Sequence, residues 1–129
     1  MGVMQAGSAG FVLVVDDESI VRAFAERSLA SSGFRVALAG DGDEAWARFS
    51  RDSDDLTAVV LDLRTPGIPT EDLVRRMRGL KPRIAVVLSS GFVDDDVRGR
   101  LEDAGVSVFL EKPWTRDELL FALRSALGG

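Results

Sequence analysis

The sequence predicts an α/β fold, a five-stranded parallel sheet wound with helices on both faces. Three observations predict it. Five short apolar runs alternate with five amphipathic stretches, a pattern that implies parallel strands joined by crossover helices. The runs are nearly continuous rather than alternating, as in Phe11-Val-Leu-Val-Val15, which suits strands covered on both faces. Polar groups follow four of them directly or nearly so: Asp16-Asp17, Asp62, Ser89-Ser90 and Lys112. In an open sheet of this kind those groups share the carboxyl edge, where function gathers.

Each element has its own signal. Residues 1–10, with three glycines, read as a flexible leader, and 11–129 as one folded domain. After the first strand, Phe11–Val15, a helix capped near Asp17 or Ser19 runs to about Ser31. Its apolar positions Ile20, Val21, Phe24 and Leu29 fit one face only roughly, and Gly33 stops it. Phe34–Ala39 is the second strand. Asp41 or Asp43 opens a helix carrying Ala45, Trp46 and Phe49 and ending near residues 51–55. Thr57–Leu63 is the third strand. The loop Arg64-Thr-Pro-Gly-Ile-Pro69 is stiff and non-helical because of its two prolines and glycine.

Thr70 is the expected N-cap of the third helix, with Glu71 and Asp72 favoured in its first turn. That helix turns Leu73, Val74 and Met77 inward and stops at Gly79. Arg83–Ser90 is the fourth strand. The helix between Val93 and Gly105 is the weakest, with a thin stripe of Val93, Val97, Leu101 and Ala104. Gly99 inside it costs about 1 kcal/mol relative to alanine. Asp94, Asp95 and Asp96 read as its solvated start. Val106–Leu110 is the fifth strand, and Thr115 caps a last helix with Leu119, Leu120, Leu123 and Leu127 inward. Trp46 and Trp114 read as packing residues.

Composition excludes several chemistries. The chain has no cysteine and no histidine, so it carries no disulfide, thiol nucleophile, histidine-ligated zinc, Ser-His-Asp catalyst or phosphohistidine of its own. A net charge of −5 argues against a nucleic-acid footprint. No apolar run is long enough to span a bilayer and no secretory signal is visible, so a membrane role is not expected and the expected location is cytoplasmic.

Asp16, Asp17 and Asp62 on one edge repel one another. Two unit charges ~4 Å apart cost about 4 kcal/mol at an effective dielectric of 20. A hard divalent cation removes that cost, and an oxygen-only ligand set suits Mg2+ or Mn2+. Lys112 adds a fixed positive charge and a serine adds a hydroxyl. Metal, ammonium and hydroxyl together match the three oxygens of a phosphoryl group. Asp62 is then the nucleophile, because it stands alone and leaves the adjacent pair for the metal.

Taken in order, these residues resemble the response regulator receiver domain. The motifs are Asp16-Asp17 after the first strand, Asp62 with Pro66-Gly67 after the third, Ser90 with Gly91 after the fourth, and Lys112-Pro113 after the fifth. The resemblance covers Phe11 to Leu127. It implies a flavodoxin-like doubly wound sheet of strand order 2-1-3-4-5. It implies that Asp62 accepts a phosphoryl group from the phosphohistidine of a histidine kinase or histidine phosphotransfer protein. Asp17, Asp62 and the backbone carbonyl of Arg64 would ligate Mg2+ directly, with Asp16 acting through water. Ser90 would hydrogen-bond the phosphoryl group, Lys112 would pair with it, and Phe109 would be the aromatic switch. Phe109 serves equally as core filling. The resemblance also implies a downstream protein target on the face of the fourth helix, fifth strand and fifth helix, a monomer or weak dimer, and no enzymatic turnover beyond self-catalysed phosphotransfer and autodephosphorylation.

The sequence departs from the family pattern at Thr65, where methionine is common, at Pro69-Thr70, and at Trp114, where phenylalanine is frequent. Arg64 lies two residues after the acceptor, where it is expected to modulate phosphoryl lifetime. The same position argues against an aspartate-nucleophile phosphatase of the haloacid dehalogenase type, which needs an acid there. Asp16-Asp17-Glu18 would repel the phosphate a flavodoxin holds. The competing reading is a receiver-fold binding module that acts without phosphorylation, and the intact acids, Ser90 and Lys112 count against it. The stretch from Phe109 to Leu120 resembles hybrid-kinase receivers. The chain is read either as a free-standing regulator or as a receiver from a hybrid histidine kinase or larger regulator.

Overall fold

The structure, a computed structural model, describes residues 9–128. The flexible leader expected at the amino end lies almost wholly outside the described residues. Gly10 does not belong to it, because it already pairs with Phe34 in the sheet.

Ten elements alternate: β1 (Gly10–Val15), α1 (Ser19–Ala30), β2 (Phe34–Ala39), α2 (Gly42–Asp52), β3 (Ala58–Asp62), α3 (Thr70–Leu80), β4 (Ala85–Ser90), α4 (Asp95–Ala104), β5 (Val108–Glu111) and α5 (Arg116–Ala126). All strand pairs are parallel, and the order is β2-β1-β3-β4-β5, as expected. β1 is central between β2 and β3, which explains why its five apolar residues from Phe11 to Val15 are all buried.

Side-chain alternation along the strands divides the core in two. Leu13, Val15, Val59, Leu61, Val86 and Leu88 face α2, α3 and α4, where they meet Phe49, Leu73, Met77 and Leu101. Val12, Val14, Ala58, Val60 and Val87 face α1 and α5, where they meet Ala25, Leu29, Leu119 and Leu123. Each of the larger side chains contributes roughly 1.5–3 kcal/mol by burial.

Several local expectations needed correction. Thr70 is not an N-cap. Pro69 occupies that position, and the Thr70 hydroxyl donates instead to the Leu63 carbonyl at 2.8 Å, stapling α3 to the end of β3. α3 passes through Gly79 to Leu80. β4 begins at Ala85, not Arg83, and β5 at Val108, not Val106. Glu18 holds the N-cap position of α1 without a side-chain cap, while Asp16 Oδ1 accepts from the Glu18 N–H at 2.9 Å. Leu127 lies past the end of α5 and is exposed.

Two glycines fix the loop that carries Arg64. Gly42 donates its N–H to the Pro66 carbonyl at 2.7 Å, and a Cβ there would stand 2.7 Å from the Ile68 carbonyl oxygen. Gly67 has φ +91°, which side-chain-bearing residues rarely adopt. The start of α2 and the loop after β3 are therefore pressed together. α4 is held far less: it buries only Leu101 and Ala104, both near its carboxyl end.

Candidate phosphoryl and metal site

The carboxyl ends of β1, β3, β4 and β5 converge. Asp16 is held by its backbone from two sides. Its N–H donates to the Ala39 carbonyl at 3.1 Å, and its carbonyl accepts from Arg22 Nη1 at 2.6 Å. Asp62 is the last residue of β3. Its carbonyl accepts the buried Thr65 hydroxyl at 2.7 Å. The Leu63 N–H continues the ladder to the Ser89 carbonyl at 3.1 Å.

Oxygens of Asp16, Asp17 and Asp62 all lie within 4.8 Å of one another. Asp16 and Asp62 are buried and Asp17 is exposed. Lys112 Nζ stands 2.8 Å from Asp16 Oδ2 and 3.1 Å from Asp62 Oδ1. Its own N–H donates to the Ser90 carbonyl at 2.7 Å, which fixes the lysine beside β4. Ser90, Arg64 and Lys112 line one cleft with Asp17 and Asp62. The expected residues are thus brought together. Phe109 stands apart on β5, half-buried, with Arg98 4.1 Å from its ring centroid. It shares a neighbouring hollow with Ser90.

Phe92 also lines the cleft and is 85% exposed. Sequence reasoning missed it. Its only signal was an aromatic side chain two residues past Ser90, in a loop with no apolar run to absorb it.

The Lys112 ammonium reaches the carboxylates of Asp16, Asp62 and, at 4.0 Å, Glu18. Burial pushes the Asp62 carboxyl above the ordinary range. The charges of Asp16 and Asp17 push the same way, and the Lys112 hydrogen bond opposes them without cancelling them. Burial works against the Lys112 ammonium, but its hydrogen bonds to Asp16 and Asp62 outweigh that and hold its pKa above the ordinary value. The cluster of Asp16, Asp17 and Asp62 with Lys112 therefore has a surplus of negative charge, and its donor set, oxygen only, fits a hard divalent cation.

The pH dependence has a definite sign. A carboxyl raised on folding contributes stability that is fully present below its unfolded value of 3.8 and is lost as pH rises through its folded value. In metal-free protein, Asp62→Asn should therefore gain melting temperature relative to wild type as pH rises across that window. Paired thermal melts between about pH 3.5 and 7 check this, and a constant offset would contradict it.

Residues 12–124 match the family model described as the response regulator receiver domain. The response regulator MprA of Mycobacterium leprae is 37% identical over 118 residues, covering 90% of this chain and 50% of that protein. MprA of Mycolicibacterium vanbaalenii is 38% identical over 118 residues, covering 90% and 49%. The chain thus spans about half the length of the curated relatives it matches. Among solved structures, a response regulator receiver domain protein from Clostridium thermocellum superposes with TM-score 0.85 at 26% identity, covering 92% of this chain and 94% of that one. The receiver domain of NtrX from Brucella abortus gives TM-score 0.81 at 28% identity, covering 91% and 98%. Among the described residues no helix is long and apolar enough to cross a membrane. The chain belongs to the response regulator receiver domain family, the receiver modules of two-component signalling.

Proposed function

We propose that Asp62 accepts a phosphoryl group from a phosphohistidine on a histidine kinase or histidine phosphotransfer protein, with Mg2+ as the required cation. The observation that carries this reading is the convergence of Asp16, Asp17 and Asp62 oxygens within 4.8 Å beside a single lysine. Asp17, Asp62 and the Arg64 carbonyl would hold the ion, with Asp16 acting through bound water. When bound, Mg2+ screens the carboxylates and the phosphoryl oxygens from one another.

In the transfer, an Asp62 carboxylate oxygen forms the new O–P bond as the P–N bond to the partner's imidazole breaks. The electron pair stays on the imidazole nitrogen, which then takes a proton. Lys112 neutralises a phosphoryl oxygen, and the Ser90 hydroxyl donates to another. Drawing both inward would repack Phe109 and shift α4. That helix is the natural element to move, because so little of it is buried. The face of α4, β5 and α5 would meet the downstream protein.

A labelled small phosphodonor tests the reading. With millimolar Mg2+ the protein should acquire an acyl phosphate on Asp62, labile in both acid and base, and a chelator should prevent it. No label in either condition would favour the binding module that ignores phosphate. Mg2+ alone should also raise the melting temperature. At 100 times its dissociation constant it adds about 2.7 kcal/mol, or roughly 10 °C for a domain of this size.

A further inference from the structure

We infer that Ser89 and Trp114 form a coupling pair that carries movement at the phosphoryl site to the α1 side of the sheet. The inference rests on the reading of Asp62 as phosphoacceptor. Ser89 and Ser90 end β4 side by side, both buried. Ser90 lines the cleft with Asp62 and Lys112. The Ser89 hydroxyl accepts instead from Trp114 Nε1 at 2.9 Å.

That bond has no easy substitute. An indole has a single donor, and Ser89 is only 2% exposed, so the serine hydroxyl cannot exchange the indole for bulk water without opening the structure. The tip of β4 is therefore joined twice to the segment 112–114. One link is the Lys112 N–H to the Ser90 carbonyl at 2.7 Å, and the other is the indole on Ser89. If Ser90 and Lys112 move toward a phosphoryl group, Ser89 and Trp114 must move with them.

The ring of Trp114 passes the movement on. Its centroid lies 5.8 Å from that of Phe24 on α1. With Ile20, Val21, Phe24 and Pro113 it lines an apolar groove beside Lys112, and Ile20 there is 82% exposed. Trp114 packs against the layer under α1 and α5, whereas Phe109 packs against the layer under α2, α3 and α4. The two serines would thus report one event to opposite faces, Ser90 toward Phe109 and Ser89 toward Trp114.

The indole N–H resonances of 15N-labelled protein test this, before and after Mg2+ with beryllium trifluoride as a phosphoryl mimic. Trp46 is the internal control, since it lies on α2 stacked on Phe49. We expect the Trp114 resonance to shift and the Trp46 resonance to stay. In Ser89→Ala the Asp62 and Ser90 amides should still respond, while the Trp114 shift falls to about half or less, as loss of a hydrogen bond implies. Ser89→Thr, which keeps the hydroxyl, should restore it. Wild-type protein whose Asp62 and Ser90 amides respond while Trp114 does not would overturn the coupling alone. An undiminished Trp114 shift in Ser89→Ala would do the same. If no amide near Asp62 responds at all, the phosphoacceptor reading fails and the coupling fails with it.

Discussion

Replacing Asp62 with asparagine is expected to abolish phosphoryl labelling, to below about one hundredth of wild type, while the fold is retained and the metal-free protein becomes more stable at neutral pH. The two halves of this result have one cause. Asp62 is 5% exposed and stands among two other carboxylates, so its ionisation opposes folding until a cation arrives. Asparagine keeps the shape and removes the charge. The carboxylate that is costly to hold is also the proposed nucleophile. A site tuned for stability alone would not carry it. Label remaining on the variant would move the acceptor elsewhere. A lower neutral-pH melting temperature would contradict the electrostatic account even if labelling were lost.

Lys112→Met is expected to slow phosphorylation by a small phosphodonor about 100–1,000-fold, the usual cost of losing one group aimed at developing charge. Methionine keeps much of the apolar stem, so the loss reports the ammonium. The same change should destabilise the metal-free protein by roughly 1–3 kcal/mol, because Asp16 and Asp62 lose their charged donor and remain buried. Millimolar Mg2+ should recover most of that stability but little of the rate, since the ion can neutralise the carboxylates without replacing the lysine on the phosphoryl oxygen. Urea titration with and without Mg2+, beside a labelling time course, separates the two effects. Full recovery of the rate by Mg2+ would mean that Lys112 acts only as a counter-ion.

Much of this architecture was legible because strand burial is written locally. Val12 to Val15 and Val59 to Leu61 are apolar without interruption, and each run halts at an aspartate. Few folds other than a doubly covered parallel sheet explain both features. The edge convergence of Asp16, Asp62 and Lys112 then followed from topology. What escaped was decided by long side chains reaching across the chain. Thr70 looked like a helix cap, but Pro69 takes that position and the Thr70 hydroxyl donates to the carbonyl of Leu63. Lys81 donates to the carbonyls of Ser53 and Leu56, and Arg78 to those of Pro82 and Gly105, ties that no local pattern announces. The stripe of α1 read poorly for a physical reason: Ile20 and Phe24 do not enter the core but line the groove beside Trp114. The bond between Trp114 and Ser89 spans 25 positions, and Trp114 was expected only to pack.

The central claim is that the acidic cluster and Lys112 form a single site for a divalent cation and a transferred phosphoryl group. A crystal structure of the protein with Mg2+ and beryllium trifluoride addresses it most directly. The account predicts beryllium on an Asp62 oxygen, the ion touching Asp17, Asp62 and the Arg64 carbonyl, and Lys112 and Ser90 on the fluorines. Fluoride density away from Asp62, or Lys112 still paired with Asp16 and Asp62 and away from the fluorines, would contradict it.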